Sequence, residues 1–174
     1  MADQTTDPEL DNLLADWRAY EPKLEFAFES RLTLAPREWI GPLPMGGQRL
    51  QVPVVTGEFE GPRLKGKALP CGGEWPHVRE DGTACFDARY FLQEDDGTMI
   101  YIQNRGFRWA TPEVQQRLWD LKPGDVVGPF EYYFRCVPTF ECEPGKHDWL
   151  TRHVFIGVGA RFRDGNRIRY FQAV

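Results

Sequence analysis

Residues 83–108 read TACFDARYFLQEDDGTMIYIQNRGFR, two alternating runs joined by Glu94-Asp95-Asp96-Gly97. Alternation with a period of two marks a strand, and Asp-Gly supplies the positive φ angles that a tight hairpin turn needs. The stretch predicts strands over 83–93 and 98–108. Successive strand side chains point to opposite faces. Cys85, Asp87, Arg89, Phe91 and Gln93 therefore share one face of the first strand, and Phe86, Ala88, Tyr90 and Leu92 the other. In the second, Met99, Tyr101, Gln103 and Arg105 fall together, opposite Ile100, Ile102 and Asn104. The apolar faces form a packed surface. The mixed faces meet solvent or line a lumen.

The same punctuation continues on both sides. Upstream, strands are predicted over 23–34, 49–55 and 58–69. Downstream they fall at 132–136, 140–143, 149–163 and 167–173, with Asp164-Gly165 as the last hairpin turn. In the strand at 23–34, Leu24, Phe26 and Phe28 share a phase that Leu32 and Leu34 continue. Two helices interrupt the pattern. Asp7 caps a helix running to Tyr20, with Pro8 in its first position and Leu10, Leu13, Leu14 and Trp17 at helical spacing. Thr111-Pro112 opens a short helix to Asp120 by the same logic. Residues 1–22 then form a helical extension and 23–174 a single β domain. About nine strands must hide their edges, which closure does most completely. Glycines inside the strand patterns, at 61, 66, 106, 157 and 159, suit the bulges and bends of a barrel. The predicted fold is all-β, a closed antiparallel barrel.

With 21 basic and 26 acidic residues the net charge is −5, and the basic residues are interspersed with acids, as in RFRDGNRIR. That is not the electrostatic footprint of a nucleic-acid binder. The start MADQTTDPELDN is acidic and polar, without the basic and apolar regions of a signal peptide, so a cytoplasmic location is expected and no membrane partner. The cysteines at 71, 85, 136 and 142 make no CxxC pair, and reduced thiols are expected in the cytoplasm. Cys136, Cys142 and His147 are too loosely spaced for a zinc site, so neither metal nor cofactor is expected. Motifs for serine hydrolases, P-loops, zincins and dinucleotide binding are missing from the sequence.

On composition alone, Asp87 and Arg89 read as an exposed surface pair, and Glu131, Tyr133 and Arg135, which alternate against Phe130, Tyr132 and Phe134, read as exposed in the same way. A resemblance adds to this. The segments TGEFEGPRLKG (56–66), LPCGGEW (69–75), FDARY (86–90), DDG (95–97), IYIQNRG (100–106), EYYFR (131–135) and WLTR (149–152) resemble the uncharacterised bacterial and fungal family called domain of unknown function 3237. The departures are Cys71 and Gly73-Glu74-Trp75, where that family has Gly and Ala-Asp-Trp, and Thr151, where it has Asn.

The resemblance implies a small antiparallel barrel of the calycin or allene oxide cyclase and dirigent type, whose members guide cyclisations and couplings inside an apolar cavity. It also turns the polar phase toward a pocket, because Tyr, Arg, Asp and Asn are costly to keep in a lumen without a ligand. On that reading Asp87 or Glu60 is the general base, with Arg89 tuning Asp87. Tyr101 and Tyr133 donate to a developing oxyanion. Arg105, Arg135 and Arg152 bind a carbonyl or carboxylate, Asn104 lines the pocket, and Trp75 and Trp149 shape its apolar part. The expected function is a small-molecule barrel working as a cofactor-independent isomerase, cyclase or lyase on a small apolar oxygenated metabolite. The alternatives are a non-catalytic carrier or sensor, and a partner-binding protein docking through the N-terminal helix. Pairing as a homodimer is compatible with each.

Overall fold

The computed structural model describes Glu9 and residues 21–122 and 124–174. The helix expected over 7–20 lies outside them, apart from Glu9, which is helical. The strands are β1 (Leu24–Leu34), β2 (Glu38–Ile40), β3 (Gln48–Glu60), β4 (Lys65–Glu74), β5 (His77–Val78), β6 (Ala84–Glu94), β7 (Met99–Trp109), β8 (Tyr133–Cys142), β9 (Phe155–Phe162) and β10 (Gly165–Ala173). An α-helix, α1 (Pro112–Trp119), follows β7. The order β1-β10-β9-β8-β7-β6-β4-β3 closes on itself because β3 also pairs with β1. The result is a closed antiparallel barrel, with β2 and β5 as short additions on β3. No helix among the described residues is long and apolar enough to cross a membrane.

The β6–β7 hairpin forms as its alternation predicts, pairing Asp87 with Arg105 and Tyr90 with Ile102. Gly97 takes φ +93° in its turn, a left-handed angle that favours glycine. Thr111 caps α1, its side chain accepting from the Val114 N–H at 3.5 Å, and Pro112 begins the helix. Elsewhere boundaries moved for local reasons. The strand expected over 58–69 is broken, because Gly61 N–H donates to the Leu64 carbonyl at 2.7 Å and turns the chain between β3 and β4. The strands expected at 132–136 and 140–143 are one strand, β8, since Pro138 lies beyond the residues that β9 pairs, Arg135 and Cys136. The start of the strand expected over 149–163 is instead a 3₁₀ helix, Asp148–Arg152, held by Thr151 Oγ1 donating to the Asp148 carbonyl at 2.9 Å. The last hairpin turns on Arg163-Asp164, and Gly165 already pairs with Phe162. In β1 a bulge between Phe26 and Phe28 breaks the phase, leaving Leu24 and Phe26 exposed while Phe28 is fully buried.

The two ends of the barrel differ. At one end Phe28, Phe59, Phe140, Phe155, Leu92 and Ile100 fill the interior, and Trp149 and Leu150 of the 3₁₀ helix cover them. The aromatic rings meet edge-on, as Phe140 and Phe155 do at 5.2 Å between centroids. At the other end, beneath Leu118 and Trp119 of α1, the interior is not filled.

Candidate functional site in the open end of the barrel

The unfilled end is a cavity of about 450 Å³, within the range of small-molecule sites. Leu50, Val52, Phe86 and Phe134 supply apolar wall, and polar groups converge on it from separate strands: Glu74 at the end of β4, Arg108 on β7, Arg161 on β9 and Asn166 on β10. Arg37, between β1 and β2, places its guanidinium 4.0 Å over the Trp119 ring at the mouth.

Asn166 is buried and joins two of these groups. Its Nδ2 donates to Glu74 Oε1 at 2.8 Å, and its Oδ1 accepts from Arg161 Nη1 at 3.3 Å. Arg161 also donates to the Gly165 carbonyl at 3.1 Å, and its backbone N–H donates to Tyr132 Oη at 2.8 Å. Burial pushes the Glu74 carboxyl above its ordinary value, while Arg161, Arg108 and the Asn166 bond pull the other way. Burial and the neighbouring Arg161 lower the Arg108 guanidinium to about 10. Its Nε is buried and has no hydrogen-bond partner among the described residues.

Deeper in, Asn104 Nδ2 donates to Tyr170 Oη at 3.0 Å between two side chains that are essentially inaccessible. Burial raises the Tyr90 and Tyr170 phenols and pushes the Cys136 thiol up to about 12. These floor groups are thus neutral near pH 7 and can serve as hydrogen-bonding groups but not as bases. The group fitted to exchange a proton with a molecule in the cavity is Glu74, a carboxyl in a partly apolar site.

The residues named from the sequence go elsewhere, with one exception. The lumen takes the apolar phase of β6, namely Phe86, Ala88, Tyr90 and Leu92, so Asp87 and Arg89 stand on the outer face. There Asp87 accepts from Arg89 at 2.9 and 3.1 Å, from Gln103 at 3.1 Å and from Arg105 at 3.2 Å. The pairing of Asp87 with Arg89 is present, within one strand and on the outside of the barrel, and Gln103 and Arg105 join it from β7. Tyr101 packs on Phe91 beside this network, at 5.6 Å between centroids. Tyr133 and Arg135 are also on the outer face, the guanidinium 5.3 Å over the ring. Asp87, Arg105, Tyr133 and Arg135 line an outer groove of about 800 Å³ with Phe107 and Val137.

Trp75 is partly exposed and its backbone N–H donates to the Asp87 carbonyl at 3.0 Å. Glu60 is exposed and pairs with Lys65 at 3.5 Å. Trp149 and Arg152 belong to the 3₁₀ helix at the filled end, where Arg152 pairs with Asp148 at 2.7 Å. Asn104 is the exception and faces the interior. Near the filled end His147 Nε2 lies 2.9 Å from Asp96 Oδ2 and 3.7 Å from Glu94 Oε1. The carboxylates also accept the Asp96 and Thr98 N–H groups, so the cluster ties the β6–β7 turn to the loop after β8.

The sequence reading missed Glu74, Arg108, Arg161 and Asn166. Three of them carried a signal. Arg108 continues the phase of Ile100, Ile102 and Asn104, Arg161 that of Gly157 and Gly159, and Asn166 that of Ile168 and Tyr170, all of which face inward. Glu74 carried none in its strand pattern, because β4 runs past the expected end at Leu69 and Pro70-Cys71-Gly72-Gly73 offers no apolar alternation to carry the phase of Ala68 to it.

Comparison with known proteins fits this architecture. The family model described as "Protein of unknown function (DUF3237)" matches residues 22–173. A UPF0311 protein of Clostridium acetobutylicum is 33% identical over 152 residues, 87% of this chain and 94% of that one. A conserved protein of unknown function from Rhodopseudomonas palustris superposes with a TM-score of 0.81 at 27% identity, over 88% of this chain and 98% of that one. A β-barrel-like protein of Acinetobacter baumannii does so with a TM-score of 0.76 at 32% identity, over 88% and 97%.

Proposed function

The chain belongs to the DUF3237 family of proteins of unknown function, and on that premise we propose that the open end of its barrel binds a small apolar oxygenated metabolite and catalyses a cofactor-independent isomerisation, cyclisation or lyase reaction on it. The observation that carries this reading is Glu74. It is a carboxyl raised by burial, at the boundary between the polar cluster and the apolar wall of a cavity of ligand size. Such a group takes a proton from carbon or hydroxyl and returns it elsewhere on the same molecule, so the protons balance without a redox partner. Arg108 and Arg161 are placed to stabilise the oxyanion that develops when the proton leaves.

The outer groove is the second reading, favoured by Asp87, Arg105, Tyr133 and Arg135 meeting there. Its weakness is the base. The Arg89 hydrogen bonds hold Asp87 down at about 2, far from the neutral range where proton abstraction is efficient.

The test is native mass spectrometry of the protein purified from its own host, followed by return of the released molecule to ligand-free protein. Conversion to an isomer or elimination product by wild type, and retention without conversion by Glu74→Gln, is the expected result. Return of the molecule unchanged by wild type identifies a carrier. Conversion by Glu74→Gln at the wild-type rate, with loss in Asp87→Asn, moves the reaction to the outer groove.

A further inference from the structure

The charge inside the open end runs against the charge of the molecule. The chain is acidic overall, with a net charge of −5. Yet the cavity is lined by Arg37, Arg108, Arg161 and Arg163 against the two carboxylates of Glu74 and Asp164. Asp164 lies 3.6 Å from Arg163, and Arg37 rests on the Trp119 ring with the Asp120 carboxylate acting on its charge. Arg108 and Arg161 are left with Glu74 between them. Arg161 spends its bonds on uncharged acceptors, the Gly165 carbonyl and Asn166 Oδ1. Arg108 has a buried Nε with nothing to donate to among the described residues. A guanidinium is always charged and presents its donors in a planar fork, so a buried Nε–H without an acceptor is costly to maintain. One surplus positive charge, a planar donor edge and an apolar wall define the complementary molecule.

We propose that the open end of the barrel recognises a monoanionic carboxylate, its carboxylate group on Arg108 and Arg161 and its apolar body against Val52, Phe86 and Phe134. This deepens the reading of the interior as a small-molecule site and rests on it. A dianion such as a phosphate monoester would leave one negative charge unmatched beside Glu74, whereas a monoanion neutralises the pair of arginines together with that carboxylate. The planar guanidinium edge also matches a carboxylate in geometry.

The probes are trans-cinnamate and trans-cinnamamide, equal in shape and differing in charge, titrated by calorimetry into the full chain. Cinnamate is expected to bind about 10- to 100-fold more tightly than the amide, the range for hydrogen bonds to a charged group. Arg108→Met removes the preference while the protein melts at or above the wild-type temperature, because the variant no longer buries a guanidinium whose Nε–H has no acceptor. Arg108→Lys keeps the charge, loses the fork and retains part of the preference. Arg31→Gln, on the outer surface beside Glu29 and Glu58, leaves it unchanged. Equal affinity for the two probes, or a preference that survives Arg108→Met, overturns the carboxylate assignment and leaves the small-molecule site standing. Absence of binding by both probes at millimolar concentration overturns the carboxylate assignment and counts against the interior site as well.

Discussion

Gly157 and Cys136 face each other across β8 and β9 at the floor of the barrel, and a methyl group added to Gly157 tests how tightly that floor is packed. A Cβ there would stand 2.2 Å from Cys136 Sγ and 3.1 Å from both Ile168 Cγ2 and Tyr170 Cε1. Non-bonded heavy atoms settle at about 3.5–4.0 Å, so the sulfur must move by more than an ångström or the strands must part. Cys136 and Tyr170 are fully buried, with the Asn104–Tyr170 hydrogen bond beside them, so neither side chain has free space to enter.

Overpacking of this kind costs about 1–3 kcal/mol. For a chain of this length each kcal/mol shifts the melting temperature by about 2–4 °C, so Gly157→Ala is expected to melt about 2–12 °C below wild type. Cys136→Ala alone removes one buried atom and costs on the order of 1 kcal/mol. In the double variant the new methyl enters the space the sulfur has left, giving a favourable coupling of about 1–2 kcal/mol in a double-mutant cycle. Rescue is incomplete, because the contacts with Ile168 and Tyr170 remain. The assay is reversible thermal or urea unfolding of the four proteins followed by near-UV circular dichroism. A single variant melting within about 1 °C of wild type, or a double variant no more stable than additivity allows, would refute this account of the packing.

Two further predictions concern pH. Glu74 has a raised carboxyl in the folded chain against an ordinary value of 4.5, so the unfolded chain gives up its proton first and stability falls as pH rises through the window between the two. Glu74→Gln keeps the acceptor for Asn166 and does not titrate. It should melt above wild type at pH 8, the gap closing toward pH 4, and a gap that grows on acidification would refute the burial argument. Asp87 has the opposite sign: its carboxyl is held at about 2 by Arg89 first, so its contribution is present above about 3.8 and is lost as pH falls through about 2. Because the network is on the outer face, Asp87→Asn should cost only about 0.2–1 kcal/mol per pair at pH 7, decline in 1 M salt and vanish near pH 2. A loss of several kcal/mol in urea titration would show that the network supports the fold.

Local sequence determined more of the frame than of the site. The period-two runs on either side of Asp96-Gly97 specified the β6–β7 hairpin and the register that puts Asp87 opposite Arg105, because alternation and turn chemistry act within a few residues. Thr111-Pro112 specified α1 for the same reason. Which face of that hairpin looks inward is decided by the rest of the ring. Closure buried Phe86, Tyr90 and Ile102, the phase with more apolar area to remove from water, and turned Asp87, Arg89, Tyr101 and Arg105 out. The site lies beyond local reasoning altogether. Glu74 and Asn166 are 92 positions apart, and Pro70-Cys71-Gly72-Gly73 gives no alternation leading up to Glu74, so neither spacing nor alternation announces their contact at 2.8 Å. The open end exists because the aromatic side chains and the 3₁₀ helix fill the other end, and only the closed ring brings Glu74, Arg108 and Arg161 to one cavity. The chain thus encodes its strands residue by residue, whereas its interior charge is a property of the barrel as a whole.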